Sequence, residues 1–197
     1  MTEHVMSPPP AAAIKWPAGD LAMWFFILAE LLVFGVFFAA YAFTRAHHVE
    51  LFNTSQQSLD RTSGMINTMV LISGSYCVVR GCQAIRSGLS QACARWLWAG
   101  FGSGAVFVVI KLGEFSAKLG AGITLSTNPF YMFYLSLTFF HFMHVILGMV
   151  ILAAVAVKAG QGGYSAAEHS GVETGASYWH MVDLVWIVLF PLVYVLH

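Results

Sequence analysis

The chain has 197 residues, 58% of them hydrophobic and 9% charged, and its formal net charge is zero. Soluble domains carry about a quarter of charged residues, so this composition, with a mean hydropathy of +0.74, excludes a soluble globular fold and points to a polytopic membrane protein. The neutral balance gives no electrostatic basis for a nucleic-acid or acidic partner.

The expected starting element is an N-terminal tail, 1–19. It places Pro8, Pro9 and Pro10 where the apolar core of a cleavable signal peptide would lie, with Lys15 as its only flanking cation. A membrane-spanning helix needs roughly 20 predominantly apolar residues. Five segments meet that length, at roughly 20–43, 63–85, 95–117, 128–157 and 175–196. They predict an all-α bundle of five transmembrane helices in one domain, 20–197, with no internal repeat.

The first span carries one charge inside its apolar stretch, Glu30, about ten residues in and so near mid-membrane at ~1.5 Å per residue. Residues 44–61 read as a loop. The second span places Asn67, Gly74 and Gly81 at heptad spacing, a face for close helix packing. The third has Gly100 and Gly104 in a small-xxx-small pattern. Lys111 lies one heptad beyond Gly104, and Lys111, Glu114 and Lys118 read as a self-neutralising ladder near the membrane interface.

Between Leu119 and Val157 there is no Asp, Glu, Lys or Arg. The glycines Gly120 and Gly122 and the stretch 126–129 break this run, so its first part is a loop. Asn128 followed by Pro129 is a helix-start signal for the fourth span. That span carries Tyr134, His141 and Gly148 at heptad spacing, with Thr138 and His144 beside them. A Gly-rich loop, 159–174, leads to the fifth span, where His180 and Asp183 share a face and Pro191 should bend the last turn. Trp16, Trp24, Trp96, Trp98 and Trp179 fall near span ends, as an interfacial aromatic belt would.

Ionisable residues inside a bilayer are costly and mark the place to look for function. If the spans alternate in direction, Glu30, His141, His144 and Asp183 come to similar depths and can meet, with His180 beside them. Metal ligation is not expected. Two histidines binding one haem iron must approach from opposite sides, which His141 and His144, on one helix face, cannot do; a pair such as His141 with His180 stays open. A copper or iron site wants at least three converging histidines. Cys77, Cys82 and Cys93 match no metal or redox spacing and read as small apolar residues. Lys15, Arg86, Arg95 and Lys158 against Arg45, Arg61 and Lys118 place the N-terminus inside and His197 outside.

Together these positions resemble subunit III of the haem-copper oxidases. The likeness is carried by 24–30 with Glu30, by 66–74 with Asn67 and Gly74, by 140–148 with His141, His144 and Gly148, and by 178–186 with His180, Asp183 and Trp186. Lys111 with Glu114, Gly122 and Asn128-Pro129 fit the same pattern. Many members have seven helices, and this chain looks like the last five. Gly122-Ile-Thr, 130–134 and 186–194 look closest to the short branch associated with nitric oxide reductases.

The resemblance implies an accessory subunit with no catalytic residue, metal or redox cofactor of its own. It would pack against a haem-copper catalytic subunit, or a nitric oxide reductase large subunit, and support its proton uptake. Glu30, His141, His144, His180 and Asp183 would be its lipid- or proton-related polar cluster. Bound phospholipid is the one ligand implied, although the two missing helices form half of the family's lipid cleft. Two other functions stand beside this one: a proton or small-solute carrier using Glu30 and the histidines as a relay, and a membrane haem protein using His141 and His180. Five helices without an inverted repeat argue against alternating access.

Overall fold

A computed structural model describes residues 20–196. The tail 1–19, with Lys15 and Trp16, and the terminal His197 lie outside the described residues, and so do the membrane sides expected for them. The described chain forms α1 (Leu21–His47), α2 (Val49–Gln56), α3 (Arg61–Arg86), α4 (Ser90–Gly120), α5 (Pro129–Gly160) and α6 (Ser170–Phe190), continued by a π-helical turn, Pro191–Val195. Five helices are long and apolar enough to cross a membrane: α1, α3, α4, α5, and α6 with its turn. The described residues contain no strand, so the chain is an all-α integral membrane bundle.

Side-chain oxygens start three of the spans by accepting from otherwise unpaired amides. Asp20 accepts from the Ala22 amide at 3.0 Å, and Asp60 from Thr62 and Ser63 at 3.0 and 3.2 Å. Asn128 accepts from the Tyr131 amide at 2.9 Å, with Pro129 in the first turn of α5, as the sequence predicts. The Ser63 hydroxyl also donates to Asp60; this bond, then the amide bonds, hold the Asp60 carboxyl below the usual carboxylate range. At the other ends, Gly122 and Gly162 adopt φ of 76° and 73°. Those left-handed residues let the Ile123 amide reach back to the Lys118 carbonyl at 3.0 Å, and Gly163 to Lys158 at 2.9 Å.

Spans consecutive in sequence run in opposite directions. The starts of α1 and α6 lie together, where the Asp20 amide donates to Thr174 Oγ1 at 3.0 Å. The end of α3 joins them through Arg86 and Glu173 at 2.8 Å. At the opposite end the Ser58 and Tyr131 hydroxyls are bonded at 2.7 Å. The outermost span is α1, which seats a single heptad stripe, Ile27, Phe34 and Tyr41, and leaves Leu28, Leu32 and Val36 exposed.

The centre of the packing is the Trp179 indole on α6, which is 1% exposed. Glycines of three other helices surround it. A Cβ added at Gly104 of α4 would lie 2.9 Å from the indole, one at Gly148 of α5 would lie 3.1 Å away, and one at Gly74 of α3 would lie 3.5 Å away. The heptad and small-xxx-small glycines therefore do bring helices close, and what they admit is an aromatic ring.

Four details differ from the sequence expectations. The spans extend a few residues past their apolar windows, since helices continue into the interface; α6 begins at Ser170, inside the stretch read as loop. The 44–61 loop contains α2, too short to span, anchored by the fully buried Phe52 against Tyr41 and Phe130 at 5.3 and 5.5 Å between ring centres. Trp179 belongs to the core and not to an interfacial belt. Pro191 is accommodated by a π-helical turn: its ring cannot donate within the helix, and the ladder widens there.

Gly104→Leu is expected to destabilise the detergent-solubilised protein by about 1–3 kcal/mol, the cost of overpacking a filled core. Gly35→Ala, where an added Cβ meets nothing within 4 Å, is expected to be neutral or to stabilise by up to ~1 kcal/mol through helix propensity. Denaturant-induced loss of helix measured by circular dichroism separates the two.

Candidate functional site

The polar residues singled out in the sequence occupy three places in the bundle. They do not form one cluster, which corrects the expectation that Glu30, His141, His144 and Asp183 meet with His180 beside them. Among the described residues no hydrogen bond joins Glu30 or His144 to the side chains of His141, His180 or Asp183, and the second and third places meet at the Trp186 indole.

The first place is the contact of α1 with α5. Glu30 Oε2 lies 3.0 Å from His144 Nε2, with the two side chains 20% and 10% exposed. His144 Nδ1 lies 2.8 Å from the Phe140 carbonyl, which can only accept, so Nδ1 carries a proton. That leaves Nε2 to share a hydrogen bond with the carboxyl. Phe34 and Phe140 flank the ring at 5.3 and 4.6 Å between ring centres, and the Tyr178 hydroxyl donates to the His144 carbonyl at 3.3 Å.

The second place is the interior of α4, α5 and α6. His141 is fully buried between Phe107 and Trp186, and its Nε2 donates to the Val182 carbonyl at 3.1 Å. Its Nδ1 has no partner, which fits a neutral ring. One heptad along α5 and one turn further along α4 lies a charged network. Lys111 Nζ donates to Glu114 Oε2 at 2.8 Å and to the Tyr194 hydroxyl at 2.6 Å. The Tyr134 and Tyr194 hydroxyls donate to Glu114 Oε1 at 2.6 and 2.8 Å. The ammonium also lies 5.1 Å from the Trp186 ring centre, within cation–π range. The Lys111 and Glu114 side chains are 0% and 5% exposed. The interfacial ladder expected from the sequence therefore stops at Glu114 and is buried; Lys118 turns away and donates to the Ser58 carbonyl at 2.7 Å. Sequence spacing shows the lysine and the acid, but not the two tyrosines, which lie 20 and 80 residues beyond Glu114.

The third place is the contact of α3 with α6. His180 Nδ1 lies 2.9 Å from the Ser75 hydroxyl. Ser75 also faces Asp183, whose Oδ1 is buried with no hydrogen-bond partner. Nearby on α3, the Thr68 hydroxyl accepts from the Trp186 indole at 2.9 Å. Asn67 is fully buried on the packing face, with neither amide atom partnered. Gly74, Gly100 and Gly104 are buried on the facing sides of α3 and α4. Cys77 and Cys82 are half-buried free thiols and Cys93 is a buried one. No three His, Cys, Asp or Glu side chains among the described residues converge so as to hold a metal ion, and His141 and His180 point to different partners.

Lys111→Met leaves the Glu114 carboxylate buried with only two hydroxyls, and should cost about 3–5 kcal/mol, as breaking one side of a buried pair does. The double variant Lys111→Met/Glu114→Gln should recover a large part of that loss. A double-mutant cycle on unfolding in detergent measures the coupling.

The match to known proteins covers the same elements. Residues 18–197 match the family model described as cytochrome c oxidase subunit III. A cytochrome c oxidase subunit 3 of Thermostichus vulcanus is 34% identical over 177 residues, covering 89% of this chain and 86% of that protein. One from Synechocystis is 34% identical over 182 residues, 90% and 76% of the two chains. A heme-copper oxidase subunit I+III of Aeropyrum pernix is 30% identical over 179 residues, which are 88% of this chain and 22% of that one. From its first span to its last, the chain belongs to the cytochrome c oxidase subunit III family.

Proposed function

We propose that the chain is a non-catalytic accessory subunit of a haem-copper respiratory complex. It stabilises the catalytic subunit within the membrane and supports its proton uptake. The observation that carries this reading is the family match across 18–197, on a bundle whose charged interior is consumed by internal pairing. Glu30 is taken by His144, and Lys111 by Glu114 and Tyr194. Those contacts hold helices together. The Aeropyrum relative, named for a subunit I and a subunit III together, supports a subunit I-type protein as the partner.

The finer assignments follow the sequence. The lysine and arginine bias favours an N-terminus on the cytoplasmic side, and relatives from Mycobacterium, Corynebacterium and Pseudomonas favour a bacterial plasma membrane. The stretches 130–134 and 186–194 favour a nitric oxide reductase complex, while the relatives' names favour cytochrome c oxidation by oxygen. The haem content and substrate of the co-purified large subunit decide between them. Membrane phospholipid is the one small-molecule ligand this reading admits. A carrier would need a continuous relay, which three separated polar groups do not supply.

Purification in mild detergent through a tag on this chain is expected to bring down a haem-bearing large subunit in near-stoichiometric amount, and the chain separated from it is expected to be colourless. Stoichiometric haem absorbance in the separated chain, or recovery of the chain alone from native membranes, contradicts the proposal.

A further inference from the structure

We propose that the cleft between α3 and α6 is a one-sided water inlet that brings solvent from the membrane face to His180. The observations are independent of any partner of this chain. Val79, Cys82 and Arg86 of α3 face Glu173, Ser177 and His180 of α6 across a cavity of about 260 Å³. Each set repeats at helical spacing, so the two stripes run along the helices for about two turns, or ~10 Å. A buried water needs only about 10–15 Å³ and a few polar partners. The cleft has room for several waters and offers polar partners along its length.

The mouth is the charged end. Arg86 Nη2 and Nε donate to Glu173 Oε1 at 2.8 and 3.3 Å, and His169 Nε2 lies 3.3 Å from the same oxygen. The Arg86 side chain, at the end of α3, is 56% exposed, so this is the end at which the cleft opens outward. The inner end is His180, whose Nδ1 is held by Ser75 at 2.9 Å. Ser75 in turn faces Asp183, where a buried carboxyl oxygen lacks a partner. Buried polar atoms in native proteins are nearly always hydrogen-bonded to protein or water. An unpartnered carboxyl oxygen behind a half-buried histidine, at the end of a polar cleft, is what water at that depth would satisfy. The ionisable groups on the two helices that bear on the cleft are Cys82 and Arg86 of α3, Glu173, His180 and Asp183 of α6, and His169 preceding it. The inlet stops there: beyond Asp183 the core is Trp179, Trp186 and Phe107, all buried.

The test is aqueous accessibility of thiols in the full-length chain reconstituted in phospholipid vesicles. The reagent is a membrane-impermeant quaternary-ammonium methanethiosulfonate. With Cys77→Ser and Cys93→Ala, the native Cys82 is the sole thiol and reports on the cleft without any change to its walls. With Cys82→Ala added, Ser177→Cys reports from the α6 wall at the same depth, and Phe25→Cys, an exposed position of α1 outside the cleft at a similar depth, is the control. Because only the hydrated thiolate reacts, Cys82 and Ser177→Cys are expected to be modified at least about tenfold faster than Phe25→Cys. The reaction should occur from one side of the membrane only. Rates for Cys82 and Ser177→Cys as slow as the control overturn the inlet, whether the cleft is then closed or filled by an acyl chain. Should Ser177→Cys not fold, Cys82 alone decides.

Discussion

Inside a hydrocarbon layer there is no water to partner a polar side chain, so each one must find its partner within the protein. That constraint shapes the charged interior of the bundle. Its strongest case is Lys111, an ammonium with no exposed surface. The charge is held by a carboxylate one helical turn away, by a hydroxyl from the last turn of the chain, and by an indole face. Glu114 is itself completed by Tyr134 and Tyr194. One charge pair thus fastens α4 to α5 and to the π-helical turn after α6. The Glu30–His144 contact plays the corresponding part for α1, which otherwise touches the bundle through a narrow apolar stripe.

Lipid tails are as apolar as leucine, so apolar contact alone gives helices little reason to associate in a membrane. Close packing must supply the rest. Here it comes from removing side chains where a large one has to fit. Gly74, Gly104 and Gly148 clear a space on three helices, and Trp179 of a fourth fills it. Dispersion contacts of that density are individually small and collectively large. The polar network and the glycine cradle share α4 and α5, and α5 contributes more buried residues than any other helix.

Much of this is legible in the sequence. Five spans follow from hydropathy and length, the start of α5 from Asn128 and Pro129, and the Lys111–Glu114 contact from helical spacing. Depth is legible too: Glu30 and His144 were expected at matching levels, and they touch. What the sequence does not carry is rotation. Knowing that His180 and Glu30 lie at comparable depths does not tell which neighbour each helix turns them toward, and His180 faces α3 while Glu30 faces α5. Tyr194 was hidden because its partner lies 83 positions away. Helix α2 was hidden because eight residues with one buried aromatic give no periodic signal. Trp179 misled because an aromatic near a span end is usually interfacial, and only the glycines opposite reveal otherwise.

Internal pairing on this scale suits a component whose task is to hold its shape beside a catalytic subunit. The family to which the chain belongs, and a relative named for subunits I and III together, support that reading. The most direct measurement is a cryo-electron microscopy map of the native complex purified through this chain. The account predicts five helices seated against a haem-bearing membrane subunit, with the Lys111 and Glu30 contacts intact and all haem and metal density outside them. Haem or metal density ligated within the five helices, or a Glu30 carboxyl turned to the acyl chains and away from His144, would contradict it.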